Sequence, residues 1–144
     1  MRVTACLLAI AVFPLLTGFG ETPEGRNRKG NRYYREGKYD EALTEYRSAQ
    51  VMAPELAVLS FNAGDALYRK GDLPAALREF GNAAGAGDAA TASSALYNAG
   101  NALLQGGQID GAVEAYKGAL KLDPDDMQAK HNLEVALRLL EQQF

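Results

Sequence analysis

Hydrophobic positions recur along this chain at helical spacing, and small residues recur among them at fixed offsets. Between Leu96 and Pro124, the apolar Leu96, Leu103, Val113, Tyr116, Leu120 and Leu122 surround three small residues, Gly100, Ala112 and Ala119. The stretch reads as two helices joined by a turn at Gly106-Gly107, with the small residues where the helices meet. The frame Gly100, Gly107, Ala112, Tyr116, Ala119 occurs earlier as Gly64, Gly71, Ala76, Phe80, Ala83, and before that as Gly30, Gly37, Ala42, Tyr46, Ala49. The first step between frames is 34 positions and the second 36, so the third unit carries two inserted residues. A five-point frame met three times predicts three stacked helix-turn-helix units.

Caps and breakers set the expected limits of these helices. The first helix is expected over about Arg26 to Glu36 and is closed by Gly37, since glycine takes a positive φ past a helix end without strain. Asp40 is the expected cap of the next helix, which runs to about Met52 and is stopped by Pro54. The second unit pairs a helix over about Glu55 to Lys70 with one that has Pro74 in its first turn and fades at Gly85-Ala86-Gly87. Asp88 caps the third unit's first helix, which gains most of a turn from the insertion. Its partner starts near Asp110 and stops before Pro124. Asp125, with Gln128 three residues on, opens a last amphipathic helix. Leu133, Ala136, Leu137 and Leu140 mark its apolar face; Lys130, Glu134, Arg138 and Glu141 mark the other. Such a helix would cover the open flank of the third unit.

Ahead of the repeats, Arg2 is followed by an apolar run from Val3 to Phe19. As a helix it would reach only ~26 Å against a hydrocarbon core of ~30 Å. A positive start, an apolar middle and the small-residue end Gly18-Phe19-Gly20 suit a secretory signal peptide over residues 1–20, cleaved after Gly20. The alternative is a retained anchor, which would be the only attachment to a membrane. Residues 21–144 then form the folded domain.

The 144 residues suit one small domain, and 47% hydrophobic content suits an Ala-rich helical one. A net charge of −3 argues against nucleic acid as the main partner. His131 is the only histidine and Cys6 the only cysteine. No Ser/His/Asp set, metal-ligand cluster or phosphate loop emerges, so neither an enzyme nor a cofactor site is expected. The first helix is rich in Arg26, Arg28, Lys29, Arg32 and Arg35. It reads either as a solvated cap of the array or as a patch for an acidic partner.

The three frames resemble the tetratricopeptide repeat (TPR) family from about Pro23 to Asp126, with repeats at 23–56, 57–90 and 93–126 and a capping helix at 126–142. The resemblance implies an all-α, right-handed superhelix of three helix-turn-helix repeats whose first helices line a concave face. The family's Trp/Leu position is met by Leu96 but holds Ser60 and Arg26 in the earlier units. Its terminal Pro is met by Pro54 and Pro124, with Asp88 in the middle unit. Projected on that face, Asn27, Arg28, Asn31 and Arg35 come from the first unit. Phe61, Asn62, Asp65, Tyr68 and Arg69 come from the second. Tyr97, Asn98, Asn101 and Leu104 come from the third, and His131 and Asn132 from the closing helix. Asn is a poor helix former, yet it recurs at one frame position as Asn62, Asn98 and Asn132. It could bond the backbone of a bound peptide, or a neighbouring repeat.

TPR domains that clamp the C-terminal carboxylate of cytosolic chaperones use cations beside such Asn residues. Here Asn31 and Asn62 match the polar members, while Asn27, Ser94 and Asn98 stand where the cations would be. That ligand is therefore not expected. Phe61-Asn62-Ala63-Gly64, Tyr97-Asn98-Ala99-Gly100-Asn101 and Ala129-Lys130-His131-Asn132-Leu133-Glu134 resemble the TPR proteins of bacterial aerotolerance (Bat) operons. This narrower resemblance implies an exported adaptor in the periplasm or cell envelope. Its implied partner is a membrane-associated von Willebrand factor A-type protein. Other readings of the same pattern are a scaffold for outer-membrane or secretion assembly and a self-associating structural array.

Overall fold

The computed structural model describes residues 21–143; the expected signal segment lies outside them. Seven α-helices follow in chain order among the described residues: α1 (Pro23–Arg35), α2 (Tyr39–Met52), α3 (Ala57–Lys70), α4 (Leu73–Ala86), α5 (Ala89–Gln105), α6 (Ile109–Leu122) and α7 (Met127–Glu141). Each helix packs on its neighbours in the chain, and α1 also meets α3 while α3 meets α5. Among the described residues these contacts join each unit to the adjacent one, the arrangement of a solenoid. Because the first helices of successive pairs touch one another directly, the stack closes on their side and α1, α3 and α5 line the inner face.

The pair angle is set by one contact repeated three times. A Cβ built on Gly30 would lie 2.5 Å from Cε1 of Tyr46, one on Gly64 2.7 Å from the Phe80 ring, and one on Gly100 2.5 Å from Cε1 of Tyr116. The aromatic ring of the second helix lies directly on the backbone of the first, so no side chain fits between. Tyr46, Phe80 and Tyr116 are among the largest fully buried side chains, and Ala42, Ala76 and Ala112 beside them are 0% exposed. Gly37, Gly71 and Gly107 hold φ of 75°, 81° and 75°. The amides of Lys38, Asp72 and Gln108 then close on the carbonyls of Tyr33, Leu67 and Leu103 at 2.9, 3.0 and 2.9 Å. This is one turn used three times, with the left-handed glycine satisfying carbonyls at the helix end.

Several limits differ from expectation for local reasons. The α1 helix begins at Pro23 because Thr22 accepts the Gly25 amide at 3.0 Å. Lys38, not Asp40, precedes α2; Asp40 sits in its first turn and pairs with Lys70. Asp126, not Asp125, caps α7, accepting the amides of Gln128 and Ala129 at 2.9 and 3.0 Å. Asp88 does cap α5, at 2.8 Å from the Thr91 amide. That helix has 17 residues against 14 in α3 and α6. The third pair therefore starts at Ala89, within the span assigned above to repeat 57–90, because the two inserted residues extend α5 at its start. The basic helix α1 is not wholly a solvated face either. Arg26 and Lys29 both pair with Glu45, which is 7% exposed. Ser60, a departure from the family's large apolar residue, accepts from Gln50 Nε2 at 3.0 Å.

Candidate functional site

The recurring Asn residues form a ladder between repeats. Asn62 Nδ2 donates to Asn27 Oδ1 at 2.8 Å, and Asn98 Nδ2 to Asp65 Oδ1 at 2.8 Å. Asn132 Nδ2 donates to Asn101 Oδ1 at 3.0 Å and to Tyr97 Oη at 3.2 Å. Of the two roles open at the sequence level, each amide spends a donor on the preceding repeat. The ladder explains why a poor helix former is kept there: each bond couples one unit to the next along the inner face.

A second set of bonds lies within the units. Asn31 and Asn101 accept from Tyr46 Oη and Tyr116 Oη, each at 2.8 Å. Burial pushes both tyrosines up to about 12, so each hydroxyl keeps its proton and donates throughout the physiological range. In the second unit Asp65 and Phe80 stand at these two places, and the phenyl ring has no hydroxyl to give. Asp65 is half-buried, and its carboxyl is raised to about 6, chiefly by loss of solvent and against the Asn98 bond and the charge of Arg69.

The remaining expected residues divide by exposure. Phe61, Tyr68, Tyr97 and Leu104 are half-buried; Phe61 packs on Phe80 at 6.2 Å between ring centroids and Tyr97 on Tyr116 at 6.0 Å. Arg28, Arg35, Arg69 and His131 are exposed. Arg69 is steadied by Tyr34, whose Oη accepts from its Nε at 3.2 Å. The inner face thus brings Asn27, Asn31, Asn62, Asp65, Asn98, Asn101 and Asn132 together, while His131 stands apart from the hydrogen-bonded ladder. The three positions that would carry clamp cations hold Asn27, Ser94 and Asn98, and two of these are ladder members. Sequence reasoning missed Val58. With Phe61 it borders an open hollow of about 270 Å³ completed by Ala90, Thr91 and Ser94 of α5. Val58 lies three residues before Phe61 on the same helical face, which is the signal that could have found it.

The fold and its inner face define a repeat solenoid built to present an extended concave surface. A tetratricopeptide repeat model matches residues 27–91, 62–127 and 97–142, and the chain belongs to that family. It is 33% identical over 110 residues to RNA polymerase II-associated protein 3 of Xenopus laevis, and 30% identical over 105 residues to that of Mus musculus. In both cases 73% of this chain is matched, and it spans only 16% of the relative's length. Among solved structures, the first TPR of Spaghetti (RPAP3), bound to the HSP90 peptide SRMEEVD, superposes with a TM-score of 0.78 at 25% identity. That match covers 83% of this chain and 94% of the other. The second TPR domain of human RPAP3, in complex with the HSP70 peptide SGPTIEEVD, gives 0.72 at 23% identity over 79% and 97%.

Proposed function

We propose that this chain is an adaptor that binds an extended segment of a partner protein along the concave face. One observation carries the reading. A continuous stripe of half-exposed aromatic and polar side chains, Phe61, Asp65 and Tyr68 on α3, lies between Asn27 and Asn31 of α1 and Asn98 and Asn101 of α5. Similar solenoids hold peptides, as the HSP90 and HSP70 complexes describe. The partner differs in chemistry from a free C-terminal carboxylate: the clamp cations are absent and Asp65 would repel such a group. A photo-crosslinking residue in place of Tyr68 should capture the partner in cell extract, while one in place of Val51, 85% exposed and outside the stripe, should not. Capture only from position 51 would move the contact off the groove. Tyr68→Ala should weaken binding by ~2 kcal/mol if the ring is a buried anchor.

The finer reading is an exported adaptor of the cell envelope in an aerotolerance-type complex, its partner a von Willebrand factor A-type protein. It rests on the Val3–Phe19 run and on the Phe61-to-Gly64 and Tyr97-to-Asn101 motifs; the relatives described above are animal proteins. N-terminal sequencing of the chain expressed in a Gram-negative host tests export, with Glu21 as the expected first residue and Met1 as the contrary result. The alternative of a self-associating array draws on Leu137 and Leu139 of α7, which are 39% and 37% exposed.

A further inference from the structure

Asp65 is the one acidic side chain on the concave stripe, at a position where the other units carry Asn31 and Asn101. Those two amides are satisfied within their units by tyrosine hydroxyls. With Phe80 in place of tyrosine, the second unit presents a carboxylate with no such donor. One oxygen accepts Asn98 Nδ2 at 2.8 Å. An ionised carboxylate offers about four acceptor sites, so a single amide leaves most of its capacity unspent. Among the described residues no cation closes on it. Arg69, one turn further along α3, acts through its charge while its Nε is held on Tyr34. A half-buried carboxylate of this kind gains from a cation brought by a ligand more than an exposed one would.

The same helix face carries a second feature. Val58, 43% exposed, and Phe61 form the α3 side of the 270 Å³ hollow, and Ala90 and Thr91 in the added first turn of α5 form its far wall. Phe61 and Asp65 are one helical turn apart, ~6 Å along the axis. An extended chain advances ~3.3 Å per residue and turns alternate side chains to the same side. Two side chains in an i, i+2 relation therefore reach both features at once.

We propose that this part of the groove selects an extended partner segment carrying a lysine or arginine two residues from an aliphatic side chain. The cation lies on Asp65 and the aliphatic group in the hollow beside Phe61. This rests on the concave-groove reading above and adds to it the chemistry of the partner.

The test is a random-peptide display selection on the immobilised chain, with enriched peptides then measured in solution against the parent, Asp65→Asn and Tyr68→Ala. Asp65→Asn restores the residue that the other two units carry, so loss of folding does not confound it. The expected result is enrichment of basic residues at i, i+2 from Leu, Ile or Val, with affinity about tenfold or more weaker for Asp65→Asn. The ionisable groups around Asp65 are Arg69 on α3 and Tyr46 on α2; α5 presents the neutral Asn98. Parent binding should therefore weaken as pH falls through about 6, and Asp65→Asn should not follow. Enriched peptides that lack a cation, or bind Asp65→Asn equally while still losing affinity for Tyr68→Ala, would overturn this inference and leave the groove standing. Peptides indifferent to both substitutions, or no enrichment at all, would overturn both.

Discussion

Gly100 illustrates how a single atom governs a helix pair. Alanine is favoured over glycine inside a helix by ~1 kcal/mol, yet its Cβ would sit 2.5 Å from the Tyr116 ring. Overpacking of that order costs ~1–3 kcal/mol, so Gly100→Ala should lower the melting temperature; a rise would show that the ring can move aside. Asp65 gives a pH signature. Its folded carboxyl is raised to about 6, above an unfolded value of ~3.9. The folded state then binds the proton more tightly, and the carboxylate costs stability as pH rises through that window. Asp65→Asn should be the more stable protein at neutral pH, and the gain should shrink toward pH ~4. Glu45 works in the opposite sense at lower pH. Hydrogen bonding to Lys29 is the main cause that lowers it, and its contribution is lost as pH falls below the ordinary glutamate value. Melting curves across pH on parent and Asp65→Asn separate the two. The glycines of the frame were legible as contact points, but the Asn residues were not: an amide facing a peptide and one facing the next repeat need the same residue on the same helix face. The paired exchange of Asn–Tyr for Asp65–Phe80 was written in the frame and could have been read there.

Among whole helices, a turn glycine and a helix glycine with open space around it answer the same substitution with opposite signs. Gly71 ends α3 at φ 81°, where nothing lies within 4 Å of an added Cβ. The penalty for alanine is conformational, ~1–2 kcal/mol for a left-handed residue with a side chain. Gly81 lies within α4 and also has open space around it. There alanine should stabilise by ~0.5–1 kcal/mol through backbone entropy alone. Thermal denaturation of Gly71→Ala and Gly81→Ala checks the pair, and equal shifts would mean that the turn relaxes. The glycine-ended turns were legible because glycine at that offset has one strong reason to be there. Helix starts were less so. Asp40 and Asp125 each had the chemistry of a cap, but Lys38 holds the cap position of α2 and Asp126 that of α7. An acidic residue two positions inside the cap, as Asp40 is, or just ahead of it, as Asp125 is, also suits a helix N-terminus, so composition alone does not choose between them. The longer α5 follows from counting residues between frames, yet its consequence, a hollow against Val58 and Phe61, needed the packing of α5 on α3.

In the assembled solenoid, the flank that ends the array decides between an adaptor and a self-stacking rod. The α7 helix covers the third pair, with Ala129 and Ala136 buried, and Leu133 and Ala136 join the cluster around Val113 and Tyr116. Its outward leucines, Leu137 and Leu139, are 39% and 37% exposed. Residues two apart on a helix do not face one another, so these two do not form one patch. Met127, 71% exposed, stands at the far start of the same helix. A stable interface buries ~800 Å² on each partner, far more than three apolar side chains scattered along and around α7 can supply. The chain should therefore be monomeric, and light scattering across concentration should give one mass throughout. The double substitution Leu137→Lys, Leu139→Glu should leave that mass and the partner affinity unchanged, because neither side chain lies on the concave stripe. An assembly that grows with concentration in the parent and falls to monomer in the double variant would reverse the conclusion. It would assign the α7 flank to contact between copies and leave the groove open to a partner along the whole stack.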